Sequence, residues 1–244
     1  MDNLVANDNN LTRQTVIICT ICIVIIIAIA LLVWSLFVRM ADDNYNASTA
    51  ENYTAILMDR DIKLYYIDNF LSDNECDHLI ESARDRFTRS GIVIGEKTGY
   101  GDARTSNTYH FGKSQDSIIK NIENRVSAAT NKSIECLESL QIVKYDSGQQ
   151  FKEHHDWFQK DYMEMNGNQR QYTFFVYLND VNNGGYTRFP RLNLAFKPKK
   201  GSALFWQNCA TPDMCFEKNL HQGEPPIGEI KYGLNIWINF DPIK

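Results

Sequence analysis

One long apolar run constrains the organisation of this chain more than any other feature. The run VIICTICIVIIIAIALLVWSLFV covers residues 16–38 and contains no charged side chain. A helix of about 20 apolar residues crosses a hydrocarbon layer about 30 Å thick, so the run predicts a transmembrane anchor. A cleaved signal peptide is the alternative. Its apolar region usually has about 7–15 residues and ends at a small-residue cleavage site, whereas this run ends near Trp34, Phe37 and Arg39.

The anchor divides the chain into a short N-terminal tail, residues 1–15, a polar stalk, residues 39–60, and a folded domain, residues 61–244. The stalk is expected because ADDNYNASTAENYT is polar, small and without apolar periodicity. The remaining length suffices for one sizeable core. A net charge of -5 argues against broad electrostatic binding of nucleic acid.

The orientation of the anchor is predicted from glycosylation motifs rather than from charge. Arg13 and Arg39 flank the run on opposite sides, so the flanking basic residues do not indicate which end of the anchor faces the cytoplasm. The motifs that begin at Asn46, Asn52 and Asn131 follow the run, although one at Asn10 precedes it. We therefore expect a single-pass type II membrane protein of the endoplasmic reticulum whose C-terminal domain is lumenal and glycosylated.

The cysteines are compatible with an oxidising compartment. Two of the six lie in the apolar run, which leaves four in the domain: Cys76, Cys136, Cys209 and Cys215. The last two flank the short loop ATPDM and are candidates for a disulfide, but the sequence leaves the pairing open.

Two amphipathic helices are predicted at the start of the domain. Ser72 and Glu75 have the spacing of a capping box. The helix they begin has an apolar stripe: Cys76, Leu79, Ile80, Ala83 and Phe87. The segment DSIIKNIENRVSAAT predicts a second helix with the stripe Ile119, Ile122, Val126 and Ala129.

After Thr130 the pattern changes to short β-rich runs separated by turns. The runs are SLQIVKYD, YTFFVYLND, SALFWQN and LNIWINF, and the turns between them include DSGQ, NNGG and KPKKG. Helices followed by many short strands indicate a mainly β fold with packed helices (α+β), built on a jelly-roll, or double-stranded β-helix, core.

The stretch FKEHHDWF, residues 151–158, offers candidate metal ligands. On an extended segment His154 and Asp156 point to one side and His155 to the other. Two histidines and one carboxylate on one face form a ligand set that suits Fe(II). Among the other histidines, His78 lies on the polar side of a helix and His110 precedes the β-rich part, so His221 is the best candidate for the third ligand.

Lys231, ten residues after His221, opens the strand KYGLNIWINF. One parity of this strand is apolar and predicts a core face: Leu234, Ile236, Ile238 and Phe240. The other parity holds Lys231, Gly233, Asn235, Trp237 and Asn239. If that parity lines the interior, the lysine requires an anion, and a small dicarboxylate on the metal would supply it. The alternative is a solvent-facing side on which Lys231 extends into water.

These residues together resemble the Fe(II)/2-oxoglutarate dioxygenases, and specifically the catalytic domain of prolyl 4-hydroxylases. The resemblance runs from about Tyr66 to Phe240. Its motifs occur in family order: IDNFLSDNECDHLI, RTSNTYHF, LQIVKYDSGQQFKEHHDW, YLNDVNNGGYTRFP, PKKGSALFW and LHQGEPPIGEIKYGLNIWI.

The resemblance implies a function for each matching position. His154, Asp156 and His221 would bind Fe(II). Lys231, Tyr145 and Thr187 would hold the distal carboxylate of 2-oxoglutarate. Four residues match positions around the peptide substrate: Arg104, Ser106, Glu138 and Arg170. Trp237 would pack beside the metal. The implied reaction is hydroxylation of peptidyl proline at C4, with succinate and CO2 as co-products and with ascorbate to restore the iron.

Two departures from the family bear on the substrate. Phe151 stands where related enzymes often have a tyrosine, so a hydroxyl that could contact the peptide is absent. The chain also lacks the N-terminal region that animal collagen hydroxylases use for peptide binding and subunit assembly. We therefore expect a self-sufficient enzyme that acts on a proline-containing peptide or protein, with collagen-like sequences among the candidates.

Three alternatives stay open at the level of sequence. The same oxidative chemistry could act on peptidyl lysine or another residue. The domain could instead be a non-catalytic, membrane-tethered binding module. A zinc hydrolase with the same ligands is disfavoured, because no general base lies beside them and Lys231 would have no function.

Overall fold

β-strands predominate in the part of the chain that this computed structural model describes, residues 53–94 and 97–243. The helices are α1 (Asp73–Ala83), α2 (Ser117–Thr130) and α3 (Lys160–Asn166). The strands are β1 (Thr54–Asp59), β2 (Leu64–Asp68), β3 (Thr88–Arg89), β4 (Ile92–Ile94), β5 (Lys97–Gly99), β6 (Asn107–His110), β7 (Gln141–Tyr145), β8 (Phe151–His154), β9 (Arg170–Tyr177), β10 (Thr187–Phe189), β11 (Leu194–Phe196), β12 (Ala203–Gln207), β13 (Cys209–Thr211), β14 (Met214–Cys215), β15 (His221–Gly223) and β16 (Lys231–Asn239).

The strands form one large sheet and one small sheet, with antiparallel pairing throughout the described ladders. The large sheet has eight strands in the order β1-β2-β12-β9-β16-β7-β6-β3, and the small sheet has four in the order β11-β10-β15-β8. Two hairpins, β4–β5 and β13–β14, lie outside these sheets. The prediction of a mainly β fold with packed helices is therefore confirmed, and the two sheets are consistent with a jelly-roll.

Alternating side chains divide the core between the two faces of the large sheet. In β9, Phe174 and Val176 join the apolar cluster that contains the buried residues of α1 and α2. Phe175 and Tyr177 join a second cluster, which also includes Phe189 of the small sheet. The large sheet is thus covered by helices on one face and by the small sheet on the other, which explains the nearly continuous apolar runs of its central strands.

Both predicted helices are present. Ser72 Oγ accepts a hydrogen bond from the Glu75 amide, and the Glu75 carboxylate accepts one from the Ser72 amide, so the capping box is confirmed. Helix α1 ends at Ala83, before Phe87, which packs against the core from outside the helix.

The buried stripe of α2 differs in one position from the expected one. Ile119, Ile122 and Val126 are buried, but Ala129 is exposed and Glu123 is buried instead. The Glu123 carboxylate is satisfied there because it accepts hydrogen bonds from the amide and hydroxyl of Ser114.

The first strand lies N-terminal to the expected start of the domain at Asp61. Thr54–Asp59 pairs along β2, so the compact unit, Asn52–Lys244, includes the last part of the expected stalk, residues 39–60. The tail, the anchor at 16–38 and the rest of the stalk lie outside the described residues. Of the described helices, none combines the length and hydropathy needed to cross a membrane.

Candidate metal centre and co-substrate site

Two histidines face each other on neighbouring strands of the small sheet. His154 ends β8 and His221 begins β15, and the two are paired in the antiparallel register. Asp156 follows β8 by two residues, outside the strand. The ligand atoms of the three side chains all lie within 4.8 Å of one another.

The expected facing of these side chains is present although β8 ends at His154 and Asp156 lies outside the strand. The Asp156 carboxylate lies 3.8 Å from His154 Nε2 through one oxygen and 3.8 Å from His221 Nε2 through the other. The neighbouring His155 points away, and its Nδ1 donates to Asn219 Oδ1 at 2.8 Å. His154 and Asp156 therefore converge while His155 serves the surrounding structure.

The two facing histidines are held as neutral rings with free Nε2 atoms. His154 Nδ1 donates to the Lys152 carbonyl and His221 Nδ1 donates to the Asn219 carbonyl, each at 2.8 Å. A carbonyl can only accept, so Nδ1 carries the proton in both rings. Burial lowers the pKa of both histidines. Each Nε2 therefore presents a lone pair to the shared centre.

The carboxylate between them is held ionised. Burial by itself would raise the pKa of Asp156, but interactions with His221, His154 and Arg170 and a hydrogen bond from Thr173 outweigh it. The net effect is a pKa below the ordinary value. Two neutral imidazoles and one carboxylate on one side are the donor set that non-haem Fe(II) oxygenases use, so these residues fit an Fe(II) ion.

A cleft with an empty volume of about 370 Å³ opens at this centre. Its walls include the three candidate ligands, several aromatic rings and a few polar groups: Tyr145, Phe151, Phe175, Thr187, Trp206, Gly223, Asn235 and Trp237. The remaining histidines are engaged elsewhere, since His78 pairs with Asp116 and His110 contacts Gln141. Of the described histidines outside FKEHHDWF, His221 is thus the one that lies beside His154 and Asp156.

Lys231 lies behind the wall of the cleft and is 1% exposed. Its Nζ donates to the Gly185 carbonyl at 2.7 Å and lies 5.2–5.5 Å from the ring centroids of Tyr145, Phe175 and Tyr177. Among the described residues no carboxylate forms an ion pair with it. Burial lowers the pKa of Lys231 to about 7. The interior parity of β16 is thus the expected one, and in the described part of the chain the nearest carboxylate influence, that of Glu224, is outweighed by burial.

Tyr145 and Thr187, the two residues predicted to share a ligand with Lys231, both lie in this part of the structure. Tyr145 is its cross-strand partner in the β7–β16 pair. Thr187 is 4% exposed, and its Oγ1 has no partner of hydrogen-bond geometry, although the Tyr177 hydroxyl is near enough to be affected by it. A buried donor without a partner and a buried ammonium without an anion suit a small carboxylate ligand.

The carbonyl that meets Lys231 is placed by a glycine turn. Gly184 and Gly185 both have φ of +70°, which is the left-handed region that glycine enters without penalty. A Cβ at Gly184 would also come within 2.4 Å of the Pro225 carbonyl oxygen. The close approach of these two segments therefore requires glycine.

Arg104 and Ser106 are buried rather than exposed on the surface of the cleft. Arg104 is 6% exposed and donates to Gln141 Oε1 at 2.8 Å, to Ser106 Oγ at 3.3 Å and to the Gly91 carbonyl at 3.3 Å. Ser106 has no exposed surface. The guanidinium lies 4.7 Å from the centroid of Phe151. These residues therefore support the wall of the cleft from behind.

Glu138 and Arg170 form a second support. Arg170 Nε and Nη2 donate to the two Glu138 oxygens at 2.6 and 2.7 Å, and its Nη1 donates to the Asp156 carbonyl at 3.2 Å. The guanidinium lies 3.7 Å from the centroid of Trp237. Trp237 is thus beside the metal centre, as expected, and stacked on a paired arginine.

Phe151 packs on a candidate metal ligand. Its ring stacks on His154 with centroids 3.4 Å apart and planes 12° apart. The Phe151 ring therefore contacts both the Arg104 guanidinium and the His154 imidazole. This packing fixes the plane of the imidazole.

Sequence reasoning missed several polar residues behind the site. Thr173 donates to Asp156 Oδ2 at 2.8 Å, and Asn208 donates to Thr173 Oγ1 at 2.9 Å. Asn219 accepts from His221 through its carbonyl. Only Thr173 carried a signal, as a hydroxyl on the parity of β9 that also holds Phe175 and Tyr177.

Comparison with protein families finds the same class of site. The model of the 2OG-Fe(II) oxygenase superfamily matches residues 140–239. These residues include all three candidate metal ligands and Lys231.

The chain is also similar to individual proteins. Probable prolyl 4-hydroxylase 3 of Arabidopsis thaliana is 33% identical over 199 residues, which is 72% of this chain and 69% of the relative. Probable prolyl 4-hydroxylase 10 of the same plant is 34% identical over 200 residues, covering 72% and 68%. The viral collagen prolyl hydroxylase of Paramecium Bursaria Chlorella virus-1, solved as a 2OG complex, is 28% identical with a TM-score of 0.58, covering 78% of this chain and 97% of the viral chain.

Proposed function

Because this chain belongs to the prolyl 4-hydroxylase family of Fe(II)- and 2-oxoglutarate-dependent dioxygenases, we propose that it hydroxylates C4 of proline residues in peptides. When bound, iron and 2-oxoglutarate would supply the oxidising chemistry, which places one atom of O2 in the proline and the other in succinate and releases CO2. The protein supplies binding, orientation and control of solvent. The two sheets are proposed to form the double-stranded β-helix of this family.

The metal is proposed to bind to His154, Asp156 and His221. Their ligand atoms converge, and both Nδ1 protons are engaged by backbone carbonyls, so the ring planes are fixed before any metal arrives. Three protein ligands on one side leave the opposite positions of the ion for the co-substrate and O2.

The observation that carries the proposal is the buried ammonium of Lys231. A lysine with 1% exposure and no carboxylate partner among the described residues is costly. The distal carboxylate of 2-oxoglutarate would remove that cost by accepting a charge-assisted hydrogen bond from Nζ. Thr187 Oγ1 has free donor capacity for the same group, and Tyr145 lies across from Lys231 in the sheet. A zinc hydrolase would have no use for this arrangement.

The peptide is proposed to meet aromatic surfaces that paired or buried arginines hold from behind. Phe151 and Trp237 line the cleft, with Arg104 and Arg170 stacked on them. Ser106 and Glu138 fix the two guanidinium groups by hydrogen bonds. We therefore assign Arg104, Ser106, Glu138 and Arg170 to the peptide side of the cleft, where they shape it.

The function is tested with the full chain, Fe(II), 2-oxoglutarate and ascorbate. Proline-containing peptides, including collagen-like ones, are compared with matched peptides in which alanine replaces each proline. We expect succinate formation that depends on proline, a mass gain of one oxygen atom, and 4-hydroxyproline on amino-acid analysis. Oxygen on lysine would make the chain a lysyl hydroxylase. If no peptide raises 2-oxoglutarate consumption, the chain is a binding module.

We further propose that the domain is tethered to a membrane by residues 16–38 and works in an oxidising lumen. The uncharged run supports the anchor. The Cys209–Cys215 disulfide supports an oxidising compartment. Asn131 is exposed at the C-terminal end of α2, so its glycosylation motif is accessible.

The compartment is tested by expression in a glycosylating cell. We expect a mass shift at Asn46, Asn52 or Asn131 that a glycosidase removes. We also expect the C-terminal domain to resist protease in intact microsomes. Digestion of that domain from the cytosolic side would contradict the proposed topology.

A further inference from the structure

Four buried side chains, which we call the Asn208 network, connect behind the metal centre: Trp206, Asn208, Thr173 and Asn219. Trp206 is 1% exposed, and the other three have no exposed surface. Polar groups at this depth are stable only when they are hydrogen-bonded. Each of the four makes such bonds, and the bonds lead to two of the three candidate metal ligands.

The first branch of the network leads to Asp156. Trp206 Nε1 lies 2.9 Å from Asn208 Oδ1, Asn208 Nδ2 lies 2.9 Å from Thr173 Oγ1, and Thr173 Oγ1 lies 2.8 Å from Asp156 Oδ2. The atoms form one continuous chain from the indole to the carboxylate.

The direction of every bond in this branch is fixed by Trp206. An indole N–H can only donate, so the atom of Asn208 that faces it must be the oxygen. Asn208 therefore presents its NH2 group to Thr173, which must accept. The single hydroxyl proton of Thr173 is then committed to Asp156 Oδ2. An amide in the opposite orientation would leave the indole without an acceptor.

The second branch leads to His221. The main-chain carbonyl of Asn208 accepts from Asn219 Nδ2 at 3.1 Å, and the main-chain carbonyl of Asn219 accepts from His221 Nδ1 at 2.8 Å. The Trp206 ring also lies edge-on to His221, with centroids 4.8 Å apart. Trp206 therefore contacts His221 directly and is also the donor that orients the Asn208 amide, whereas the bonds of this branch end on main-chain carbonyls.

Asn208 is itself held from both sides. The main-chain N–H of Asn208 donates to the Gln171 carbonyl at 2.7 Å, and the main-chain carbonyl of Asn208 accepts from the Phe216 N–H at 2.9 Å. It directly precedes Cys209, whose disulfide with Cys215 closes the β13–β14 hairpin. The residue is therefore a fixed point between the end of β12 and the segment that carries His221.

We propose that the Asn208 side chain is a positioning group that sets the geometry of one candidate metal ligand, Asp156, through Thr173. With one lone pair of Oδ2 engaged by Thr173, Asp156 presents Oδ1 to the metal without that competition. This inference rests on the proposed metal site.

The test measures Co(II) binding to the full chain under anaerobic conditions by the visible absorption of the bound ion, with no substrate turnover. Removal of groups that orient metal ligands typically costs about 10- to 100-fold in metal affinity. We expect losses of about that size in Thr173→Val and in Asn208→Leu, each with an altered Co(II) spectrum. Thr173→Ser keeps the hydroxyl and should restore affinity and spectrum. The double variant should lose less than the two separate losses combined, because one chain of bonds is broken.

The matched control is Ser202→Ala. Ser202 is equally buried, and its hydroxyl donates to the Lys199 carbonyl, away from the metal ligands. This variant should lower the melting temperature without changing Co(II) affinity or spectrum.

The outcomes separate this inference from the proposed function. Failure of the wild-type chain to bind Co(II) would overturn the metal site itself. Normal binding by folded Thr173→Val and Asn208→Leu would overturn only the positioning role. If one variant does not fold, the other decides, and if neither folds the network is structural and the inference fails.

Discussion

His154 and His221 are cross-strand partners, and their ring centroids lie 4.2 Å apart. Side chains on paired strands share a face only in one register, and a slip of one residue turns a side chain to the opposite face. The β8–β15 pairing therefore decides whether the two imidazoles can bind the same ion. The metal site depends on strand register as well as on residue identity.

The first prediction concerns the two adjacent histidines. His154→Ala should abolish Fe(II)-dependent turnover because it removes a metal ligand. His155→Ala should retain most activity because His155 contacts Asn219 and Glu217 instead of the centre. Peptide-stimulated succinate formation and circular dichroism of both variants check this. Equal losses in two folded proteins would contradict the assigned facing.

The second prediction concerns the affinity for 2-oxoglutarate. Lys231→Ala should leave the distal carboxylate without its partner, at a cost of about 3–5 kcal/mol. At about 1.4 kcal/mol per tenfold, the affinity should fall about a hundred- to a few thousand-fold. Lys231→Arg should recover only part of the lost affinity, because the planar guanidinium of arginine cannot occupy the position of the ammonium.

The measurement is the 2-oxoglutarate dependence of CO2 release, with anaerobic Fe(II) binding as control. Fe(II) binding should survive in both variants because the ligands are unchanged. An unaltered requirement for 2-oxoglutarate in a folded Lys231→Ala protein would remove Lys231 from the site.

The third prediction links Lys231 to stability. Its pKa is about 7 in the folded protein and about 10.4 when unfolded, so the unfolded chain binds more protons between these values. The cost of burial is therefore fully present below pH 7 and is relieved as the pH rises towards 10. Lys231→Met should stabilise the ligand-free protein at pH 7 by up to about 5 kcal/mol.

Urea unfolding of both proteins from pH 6 to pH 10 checks this prediction. The advantage of Lys231→Met should be largest at pH 7 and below and should shrink towards pH 10. A difference that does not vary with pH would show that the ammonium is not desolvated.

The fourth prediction concerns protonation on ligand binding. Because the ligand-free lysine has a pKa of about 7, binding of 2-oxoglutarate above pH 7 requires proton uptake. Its affinity should fall by up to about tenfold per pH unit above 7, until the raised pKa of the complex is passed. Calorimetry of the Co(II)-loaded protein in buffers of different ionisation enthalpy measures the proton directly. No uptake at pH 8 would contradict the pairing.

The fifth prediction concerns the hairpin that bears the disulfide. Loss of the short Cys209–Cys215 loop should lower the free energy of unfolding by about 2 kcal/mol in a double Cys→Ala variant. Cys76 and Cys136 are free and buried, so their replacement by alanine gives a control without a lost cross-link. Reduction with dithiothreitol should destabilise the wild-type chain and the Cys76/Cys136 control. It should leave the stability of the Cys209/Cys215 double variant unchanged.

The sequence by itself determined the features that depend on neighbouring residues. The capping box of α1 was readable because its two hydrogen bonds join residues three apart. The two faces of β16 were readable because alternation is a local property of any strand. Thus the apolar parity predicted the helix-covered face and the other parity placed Lys231 inside. By contrast, β1, which lies before Asp61, could not be read from the sequence, since it is identified by its pairing with β2.

Only the tertiary structure decided which distant residues meet. The register of β8 with β15 brought His221 to His154, while the Glu138–Arg170 pair, the burial of Ser106 and the Asn208 network followed from the packing of separate segments. The burial of Ser106 was not readable from the sequence because exposure is not a local property. Asn208 carried no signal at all, because its function arises from what the indole, the hydroxyl and the carboxylate around it can donate and accept.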